Sequence, residues 1–333
     1  MNIQKVKVFI FGCLLTLGCF GGPGCLLSEA APVGSSGGVA APWLVYWDWQ
    51  AGYKEIRFSK LDSVVVFAAG FDKNDRLRVP QEVNFADLEQ LRKRQPSQLQ
   101  MLSVVNDIYA DERKSLKDTE LVKRLLSDES SMKHHASKLI ELCQEHKFGG
   151  LELDYENFWH DEAAVKAYTA FLPILRDKAK ETGISLRVIL EVKALKYAEK
   201  LPDGIDYVVM LYNLYGGHSG PGPKASPDFI KKTCAKMNAL QGRKSIALAG
   251  GGFWWRSDGK VVGITEEQAE VLRAKNKVFS SRDKNSRSLF YSFEDKGHNE
   301  VWYADAVTLS YWQVQAAKNG YPIVSLWRLG GNL

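Results

Sequence analysis

The chain has 333 residues, of which 45% are hydrophobic and 25% are charged. This length accommodates one large barrel or two ordinary domains, and the composition is that of a globular protein, which excludes wholesale disorder. The net charge of +5 comes without a long basic run or a zinc-ligand spacing, so we expect no nucleic-acid partner.

The first thirty residues are predicted to be a targeting segment. Lys5 and Lys7 precede an apolar stretch from Val8 to Phe20, which is shorter than the ~20 residues that a membrane-spanning helix needs. A basic start followed by a short apolar stretch is typical of a secretory signal peptide. The small residues before Ala31 allow ordinary cleavage, whereas the segment ending at Cys19 loosely resembles a lipoprotein signal. An uncleaved N-terminal anchor is the third alternative.

We therefore expect an exported protein that is secreted, periplasmic or held in the envelope as a lipoprotein. A lipid anchor at the N-terminus would be its only membrane contact. Residues 31–41 are rich in Gly and Ser, which predicts a flexible linker. Residues 42–333 are predicted to form the folded domain.

From Trp43 onward, short apolar runs alternate with helical patterns. The predicted strands are Trp43–Trp47, Ser63–Ala69, Leu99–Val105, Gly150–Tyr155, Ser185–Leu190, Tyr207–Tyr212, Ser245–Leu248 and Pro322–Trp327. The predicted helices are Asp87–Arg94, Glu120–Leu126, Lys133–Glu145, Glu162–Lys180, Pro227–Ala239 and Ala304–Lys318. Eight apolar strands alternating with helices predict an α/β fold, the (β/α)8 TIM barrel. A doubly wound open sheet is the rival, but no Gly-rich phosphate loop follows the first strand.

A small β-hairpin is predicted as an insertion before the last helix. Leu289, Tyr291 and Phe293 alternate on one side of residues 295–297, and Val301 and Tyr303 alternate on the other. Alternation on both sides of a Gly-containing turn is the pattern of a hairpin.

The fourth predicted strand carries three carboxylates in alternate positions. Side chains of a strand alternate between its faces, so Glu152, Asp154 and Glu156 share one face, spaced ~6.5–7 Å apart, whereas Leu151 and Leu153 share the other. In a barrel the leucines suit the helix-facing side, and the carboxylates then point inward, towards the end where active sites form. The alternative, a solvated acidic face, suits an edge strand but not one flanked by helices.

Three carboxylates this close together and poorly solvated do not all stay ionised. Burial and like-charge repulsion raise the pKa of at least one of them. A carboxylic acid that keeps its proton near neutral pH is what a glycosidase needs to protonate its leaving oxygen. Glu156 lies nearest the carboxyl end of the strand and is the predicted general acid, and Asp154 is placed to share a proton with it.

These residues resemble a known enzyme family. Gly149-Gly150-Leu151-Glu152-Leu153-Asp154-Tyr155-Glu156 resembles the Asp-Gly-x-Asp-x-Asp-x-Glu signature of glycoside hydrolase family 18. Met210-Leu211-Tyr212-Asn213 resembles the family's Met-x-Tyr-Asp, and the last predicted strand resembles the one whose Trp, here Trp327, forms the floor under the reactive sugar. The resemblance covers roughly residues 43–331. Further segments resemble the bacterial branch that acts on the envelope and the spore cortex.

The resemblance implies substrate-assisted, retaining catalysis without a metal or organic cofactor. The substrate's acetamido oxygen attacks the anomeric carbon, Glu156 protonates the leaving oxygen and then acts as a base on water, and Asp154 orients the acetamido group. Tyr212 is expected to donate a hydrogen bond to the acetamido oxygen. Gly149, Glu152 and Asn213 depart from the family signature, which puts the tuning of the proton network in doubt more than the chemistry.

Aromatic and polar residues at other strand ends are candidates for binding the sugar, because barrel active sites form there. The predicted substrate-binding residues are Trp327, Glu152, Asn213, Tyr46, Trp47, Asp48, Asn106, Met210 and Trp254. For Trp47 and Trp254, simple core packing is an equally good explanation.

The sequence thus predicts a hydrolase of β-linked N-acetylglucosamine-containing glycans, with chitin-like chains or peptidoglycan as the polysaccharide substrate and with no protein partner. An inactive sugar-binding protein on the same barrel is the alternative, although both Glu156 and Asp154 are present. A metal-dependent hydrolase is a third interpretation, which the lack of a His pair near strand ends argues against.

Overall fold

The computed structural model describes residues 40–57, 61–109 and 114–331, all within one compact unit. The predicted targeting segment (1–30) and nearly all of the predicted linker (31–41) lie outside the described residues. Among the helices of the described part of the chain, none is long and apolar enough to cross a membrane.

Fifteen strands occur in the described residues. They are β1 (Trp43–Val45), β2 (Ser63–Phe71), β3 (Leu77–Arg78), β4 (Leu99–Tyr109), β5 (Lys114–Ser115), β6 (Gly150–Asp154), β7 (Ser185–Leu190), β8 (Asp206–Met210), β9 (Arg243–Ala249), β10 (Gly251–Trp255), β11 (Val261–Ile264), β12 (Ser281–Arg282), β13 (Leu289–Glu294), β14 (His298–Ala304) and β15 (Val324–Trp327).

The described helices surround and connect these strands. They are α1 (Trp49–Ile56), α2 (Phe85–Arg94), α3 (Thr119–Leu125), α4 (Glu129–Glu145), α5 (Glu162–Glu181), α6 (Pro227–Met237), α7 (Glu266–Lys275) and α8 (Ala306–Lys318). Two 3-10 helices, Tyr46–Asp48 and Val192–Lys200, complete the set.

Eight parallel strands form the predicted (β/α)8 barrel. Their order is β1-β2-β4-β6-β7-β8-β9-β15, and every neighbouring pair along it runs parallel. At the seam, the amide of Leu329 donates to the carbonyl of Trp43 at 3.0 Å. The amide of Ala41 donates to the Ser325 hydroxyl at 3.1 Å. The barrel prediction is confirmed, with one helical connection, between β7 and β8, that is 3-10 rather than α.

Helix α1 was not predicted. Trp49, Tyr53 and Ile56 are all buried, and their i, i+4, i+7 spacing places them on one helix face. This pattern begins at Trp49, one turn after β1. Trp49 follows Tyr46 and Trp47, which the sequence places at a strand end that binds sugar. The first predicted strand was therefore extended to Trp47, whereas β1 ends at Val45.

The predicted hairpin exists, but the insertion is larger than a hairpin. β13 and β14 pair across the predicted turn, from Leu289 opposite Tyr303 to Glu294 opposite His298. They belong to a five-stranded antiparallel sheet of order β11-β10-β14-β13-β12, and α7 packs on it. The insertion begins at Gly251, directly after β9, because the aromatic residues there form a strand.

The interior of the barrel combines an apolar layer with one ion pair. Trp43, Val65 and Met101 pack together inside the barrel, whereas Leu151 and Leu153 face the helices, as alternation predicted. Further along the interior, Glu152 and Arg187 are opposite one another on β6 and β7, with Arg187 Nε 2.7 Å from Glu152 Oε2. Both side chains are buried, so each charge depends on the other.

We predict that Arg187→Met lowers the free energy of unfolding by about 3–5 kcal/mol, because it leaves the buried Glu152 without its partner. Urea unfolding at neutral pH measures this loss. Arg124→Met is the matched control, since Arg124 pairs with Asp75 at a position where both side chains reach solvent, and its expected loss is below about 1 kcal/mol. Equal losses in the two variants would contradict the assignment.

Candidate active site

The candidate site begins where β6 ends. Asp154 is the last residue of this strand, points into the barrel and is 6% exposed. The strand was predicted to continue through Tyr155, but it stops one residue earlier, and Asn157 adopts a positive φ of 66°. Glu156 therefore sits on a turn at the mouth of the barrel, not on the strand ladder.

Asn106 of β4 fixes the backbone of Glu156 on that turn. Its side-chain Oδ1 accepts a hydrogen bond from the Glu156 amide at 2.9 Å, and its Nδ2 donates to the Glu156 carbonyl at 3.0 Å. The same Nδ2 also donates to the Asp118 carbonyl at 3.2 Å. A side-chain amide thus satisfies both backbone groups where the strand can no longer do so.

Asn106 is fully buried, and its contact with substrate stays a prediction. It is a positioning residue for Glu156. The sequence showed that it lies at a strand end, but it did not show that a neighbouring turn occupies the amide.

The carboxylate of Glu156 contacts Lys117. Lys117 Nζ lies 2.6 Å from Glu156 Oε2, and the Glu156 side chain is 13% exposed. Burial raises the pKa of Glu156, Lys117 opposes the rise without cancelling it, and Glu191 and Asp107 add to it. Burial lowers the pKa of Lys117, but the Glu156 carboxylate outweighs it, so that pKa lies above its ordinary value. The arrangement therefore favours a Glu156 that retains its proton to higher pH than a solvated glutamate.

Asp154 is the more perturbed of the two acids. Burial raises its pKa well above the ordinary value, and the charges of Glu156 and Glu152 add to the rise. Among the described residues, no group makes a hydrogen bond to its buried Oδ1. A buried carboxyl oxygen without a partner is costly, so this atom is available to a ligand that reaches the mouth of the barrel.

Tyr212 keeps its phenolic proton. It follows β8 and packs on the interior apolar layer. Burial raises its pKa well above the ordinary value, and Asp154, Glu156 and Glu152 add to the rise. The hydroxyl is therefore a hydrogen-bond donor at neutral pH.

Trp327 lies at the end of β15 among other rings. Its ring centroid is 4.8 Å from that of Phe67 and 5.8 Å from that of Trp43, both edge to face. Trp47 lies 6.4 Å away and is 51% exposed. This packing fixes the ring of Trp327 and leaves Trp47 as an open flat surface beside it.

Glu152 lies deep in the barrel, and its contact with substrate stays a prediction. Its side chain has no accessible surface, and besides Arg187 it accepts a hydrogen bond from Trp43 Nε1 at 2.7 Å. Burial raises its pKa, and Arg187 and Trp43 oppose the rise. Glu152 therefore lies inside the barrel, deeper than Asp154. Its negative charge contributes to the raised pKa of Asp154.

Trp254 lies in the inserted sheet, and its contact with substrate stays a prediction. Strand alternation turns it away from the mouth and onto the core of the insertion, where it packs near Phe293 and donates to Asn299 Oδ1 at 3.0 Å. Its neighbour Phe253 faces the barrel mouth instead and lines a cavity there. The sequence indicated an aromatic residue at this position but not which side chain of the strand faces the sugar.

The other predicted binding residues lie around the mouth in different environments. Asn213 is exposed, and Met210 is almost fully buried in the interior apolar layer. Tyr46 packs edge to face on Trp47 at 4.9 Å. Asp48 pairs with Arg328 at 2.8 Å. Their contact with substrate stays a prediction.

Two residues that act on Glu156 were not among the predicted site residues. Lys117 lies in a loop after β5 with a positive φ of 55°, and no sequence pattern marks it. Glu191, directly after β7, accepts a hydrogen bond from the Asn157 amide at 2.7 Å. Its position at a strand end was the available signal.

In the described part of the chain, no group of three or more His, Cys, Asp and Glu side chains is arranged to hold a metal ion. What the mouth of the barrel does hold is two buried carboxyl groups with raised pKa values, a protonated phenol and a tryptophan surface. Such a mouth is suited to general acid–base catalysis, because it holds carboxyl groups that keep a proton near neutral pH. The chain belongs to glycosyl hydrolases family 18, whose model matches residues 42–332.

Two curated relatives are similar over part of their length. The uncharacterized glycosylase YvbX of Bacillus subtilis is 26% identical over 231 residues, which is 64% of this chain and 66% of that protein. The cortical fragment-lytic enzyme of Bacillus subtilis is 22% identical over 237 residues, 63% of this chain and 53% of that enzyme. The match thus spans less than two thirds of either relative.

Solved structures show the same fold. A chitinase from Chromobacterium violaceum superposes with a TM-score of 0.75 at 16% identity, covering 89% of this chain and 95% of that one. The spore cortex-lytic enzyme SleL of Bacillus megaterium superposes with a TM-score of 0.72 at 15% identity, covering 89% and 71%.

We predict that Lys117→Met raises the pKa of Glu156, because it removes the cation that opposes the effect of burial. Carboxyl carbon NMR titration measures the shift, with the Glu156 signal assigned by its loss in Glu156→Gln. Lys114→Met is the matched control, since Lys114 is an exposed lysine in the same segment. An unchanged or lower pKa in Lys117→Met would contradict the contact.

Proposed function

We propose that this protein is a glycosidase that hydrolyses β-linked N-acetylglucosamine-containing glycans, chitin-like chains or peptidoglycan, by substrate-assisted retaining catalysis. The observation that carries the proposal is the pair formed by Glu156, a proton donor with a raised pKa, and Asp154, whose buried Oδ1 has no partner among the described residues. Membership of family 18 supports it, and so do relatives named as a glycosylase and a cortical fragment-lytic enzyme.

Glu156 supplies and recovers the proton. In the first step its carboxyl group protonates the glycosidic oxygen while the bond from that oxygen to the anomeric carbon breaks. The acetamido oxygen of the same sugar forms the new bond to this carbon and gives a cyclic oxazolinium ion. In the second step the Glu156 carboxylate takes a proton from water, and the water oxygen opens the ring. Two displacements at one carbon retain its configuration.

Asp154 and Tyr212 act on the acetamido group. Asp154 Oδ1 accepts the acetamido N–H, which aims the acetamido oxygen at the anomeric carbon and offsets the positive charge of the oxazolinium ion. The Tyr212 hydroxyl donates to the acetamido oxygen. The ring of Trp327 supports the apolar face of the sugar. Lys117 stabilises the Glu156 carboxylate once its proton has left.

Export remains part of the proposal. Lys5, Lys7 and the apolar stretch that follows them support a signal peptide or a lipoprotein signal. A polymer of the cell envelope is too large to be brought to a cytoplasmic enzyme, so the location fits the proposed substrates.

We predict that Glu156→Gln lowers kcat by about 10²–10⁴-fold, because an amide cannot donate the proton to the leaving oxygen. Release of reducing ends from chitooligosaccharides and from peptidoglycan measures it. Glu162→Gln, the same change at an exposed position in the first turn of α5, is the control and keeps the wild-type rate. If the wild type binds either glycan without cleaving it, the protein is the sugar-binding alternative instead.

Substrate assistance has its own prediction. Asp154→Asn is expected to weaken binding of a thiazoline analogue of the oxazolinium ion by at least about ten-fold, because the variant loses the negative charge that faces the cationic ring. Isothermal titration with the purified analogue measures this. Asp161→Asn, at the cap of α5, provides the control. Equal affinity in Asp154→Asn and wild type would contradict the contact proposed between Asp154 and the acetamido group.

A further inference from the structure

A cavity of about 550 Å³ opens beside Trp327 at the mouth of the barrel. Its walls come from Trp47 after β1, Lys224 after β8, Phe253 of β10 and Trp327 at the end of β15. In the ring of eight strands β15 lies opposite β6, so the cavity lies across the mouth from the carboxylates. Trp327 lines both the mouth of the barrel and this cavity. A glycan chain that covers its ring can therefore continue from the mouth into the cavity.

The cavity contains more positive than negative charge. Lys224, Arg328 and Asp48 are its ionisable lining residues. Arg328 pairs with Asp48 at 2.8 Å. Lys224 Nζ donates to the carbonyl of Gly250 at 2.9 Å, and no carboxylate of the described residues lies within 4 Å of it. The Lys224 ammonium therefore lies at the cavity with a neutral hydrogen-bond acceptor but with no counterion among the described residues.

Burial of the Lys224 ammonium is energetically unfavourable. Burial, and next the charge of Arg328, lowers its pKa to about 8, so most of the ammonium groups remain charged at neutral pH. The Phe253 ring centroid lies 5.2 Å from Nζ, and this contact offsets part of the desolvation. A partly buried cation without an anion gains most from a ligand that brings one.

We propose that this cavity is a subsite for a carboxylate carried on a substituent of the glycan, with the Lys224 ammonium as its ligand and the aromatic walls as the surface for the sugar ring. The proposal rests on the glycosidase function proposed above and narrows its substrate class. Chitin carries no such carboxylate. Peptidoglycan does, either as the free lactyl group of strands without peptide or on the stem peptide that is attached to that group.

The first test compares acidic and neutral substrates in one enzyme. The measured quantity is the ratio of kcat/KM on peptidoglycan strands to kcat/KM on N-acetylglucosamine tetrasaccharide. Lys224→Met is expected to lower this ratio by about ten-fold or more, as befits loss of a charge-assisted hydrogen bond. Lys224→Arg, which keeps the cation, is expected to retain most of it. Lys231→Met removes an exposed charge on α6 and leaves the ratio unchanged.

The substrates themselves identify the carboxylate. Strands stripped of peptide present free lactyl groups, intact strands present stem-peptide carboxylates, and strands amidated with a carbodiimide present neither. A loss in Lys224→Met confined to the first or to the second assigns the source, and the wild type should lose its preference on the third. An unchanged ratio in Lys224→Met, or a wild type indifferent to amidation, overturns the subsite.

A binding measurement separates this proposal from the glycosidase proposal. Titration of the Glu156→Gln protein with a peptide-free peptidoglycan tetrasaccharide and with N-acetylglucosamine tetrasaccharide needs no turnover. If the wild type cleaves neither glycan, the proposed function fails, but tighter binding of the acidic tetrasaccharide that is lost in Glu156→Gln/Lys224→Met still supports the subsite. Equal affinity for the two tetrasaccharides overturns the subsite even if both are cleaved.

Discussion

The site depends on how strand β6 and the residues directly after it hold three acidic side chains along the interior and the mouth of the barrel. Arg187 lies opposite the deepest of them, Glu152, and neutralises it where water cannot reach. Of the two outer acids, Glu156 contacts the half-exposed Lys117 and Asp154 contacts no cation of the described residues, and burial raises both pKa values. Without the deep ion pair, a third unbalanced charge would lie beneath them. The interior of the barrel thus provides both stability and the electrostatic environment of the mouth.

The mouth is electrically polar from one side to the other. On the β6 side lie the acids Asp154 and Glu156, with Lys117 in contact with Glu156. On the β15 side lie Lys224 and the Arg328–Asp48 pair. The tryptophan surface lies in the cavity on the cationic side. A neutral glycan interacts with this charge difference only through its hydroxyl and acetamido dipoles. A glycan with charged substituents has one favoured orientation across the mouth. Such polarity discriminates between substrates more through orientation than through total binding energy.

Much of the barrel could be predicted from the sequence, because alternation and helical spacing report directly on burial. The inward direction of Asp154 followed from the leucines beside it. What could not be predicted depends on contacts between distant segments. The pairing of Glu152 with Arg187 was signalled only by a charged residue within an otherwise apolar strand. The choice between Phe253 and Trp254 depended on the register of an insertion whose first strands were not recognised, since adjacent aromatic residues satisfy either face of a strand.

Because of Asn106, the pairing of the strands and the placement of the Glu156 side chain depend on different contacts. In a regular strand the ladder that builds the sheet also sets where each side chain lies. Glu156 is beyond the ladder, and a single side-chain amide holds its backbone in place. The position of the acid is therefore set by a side chain of the neighbouring strand β4 and not by the backbone ladder of its own strand. Evolution can adjust the distance between acid and substrate through such a residue in small steps, with the scaffold left intact.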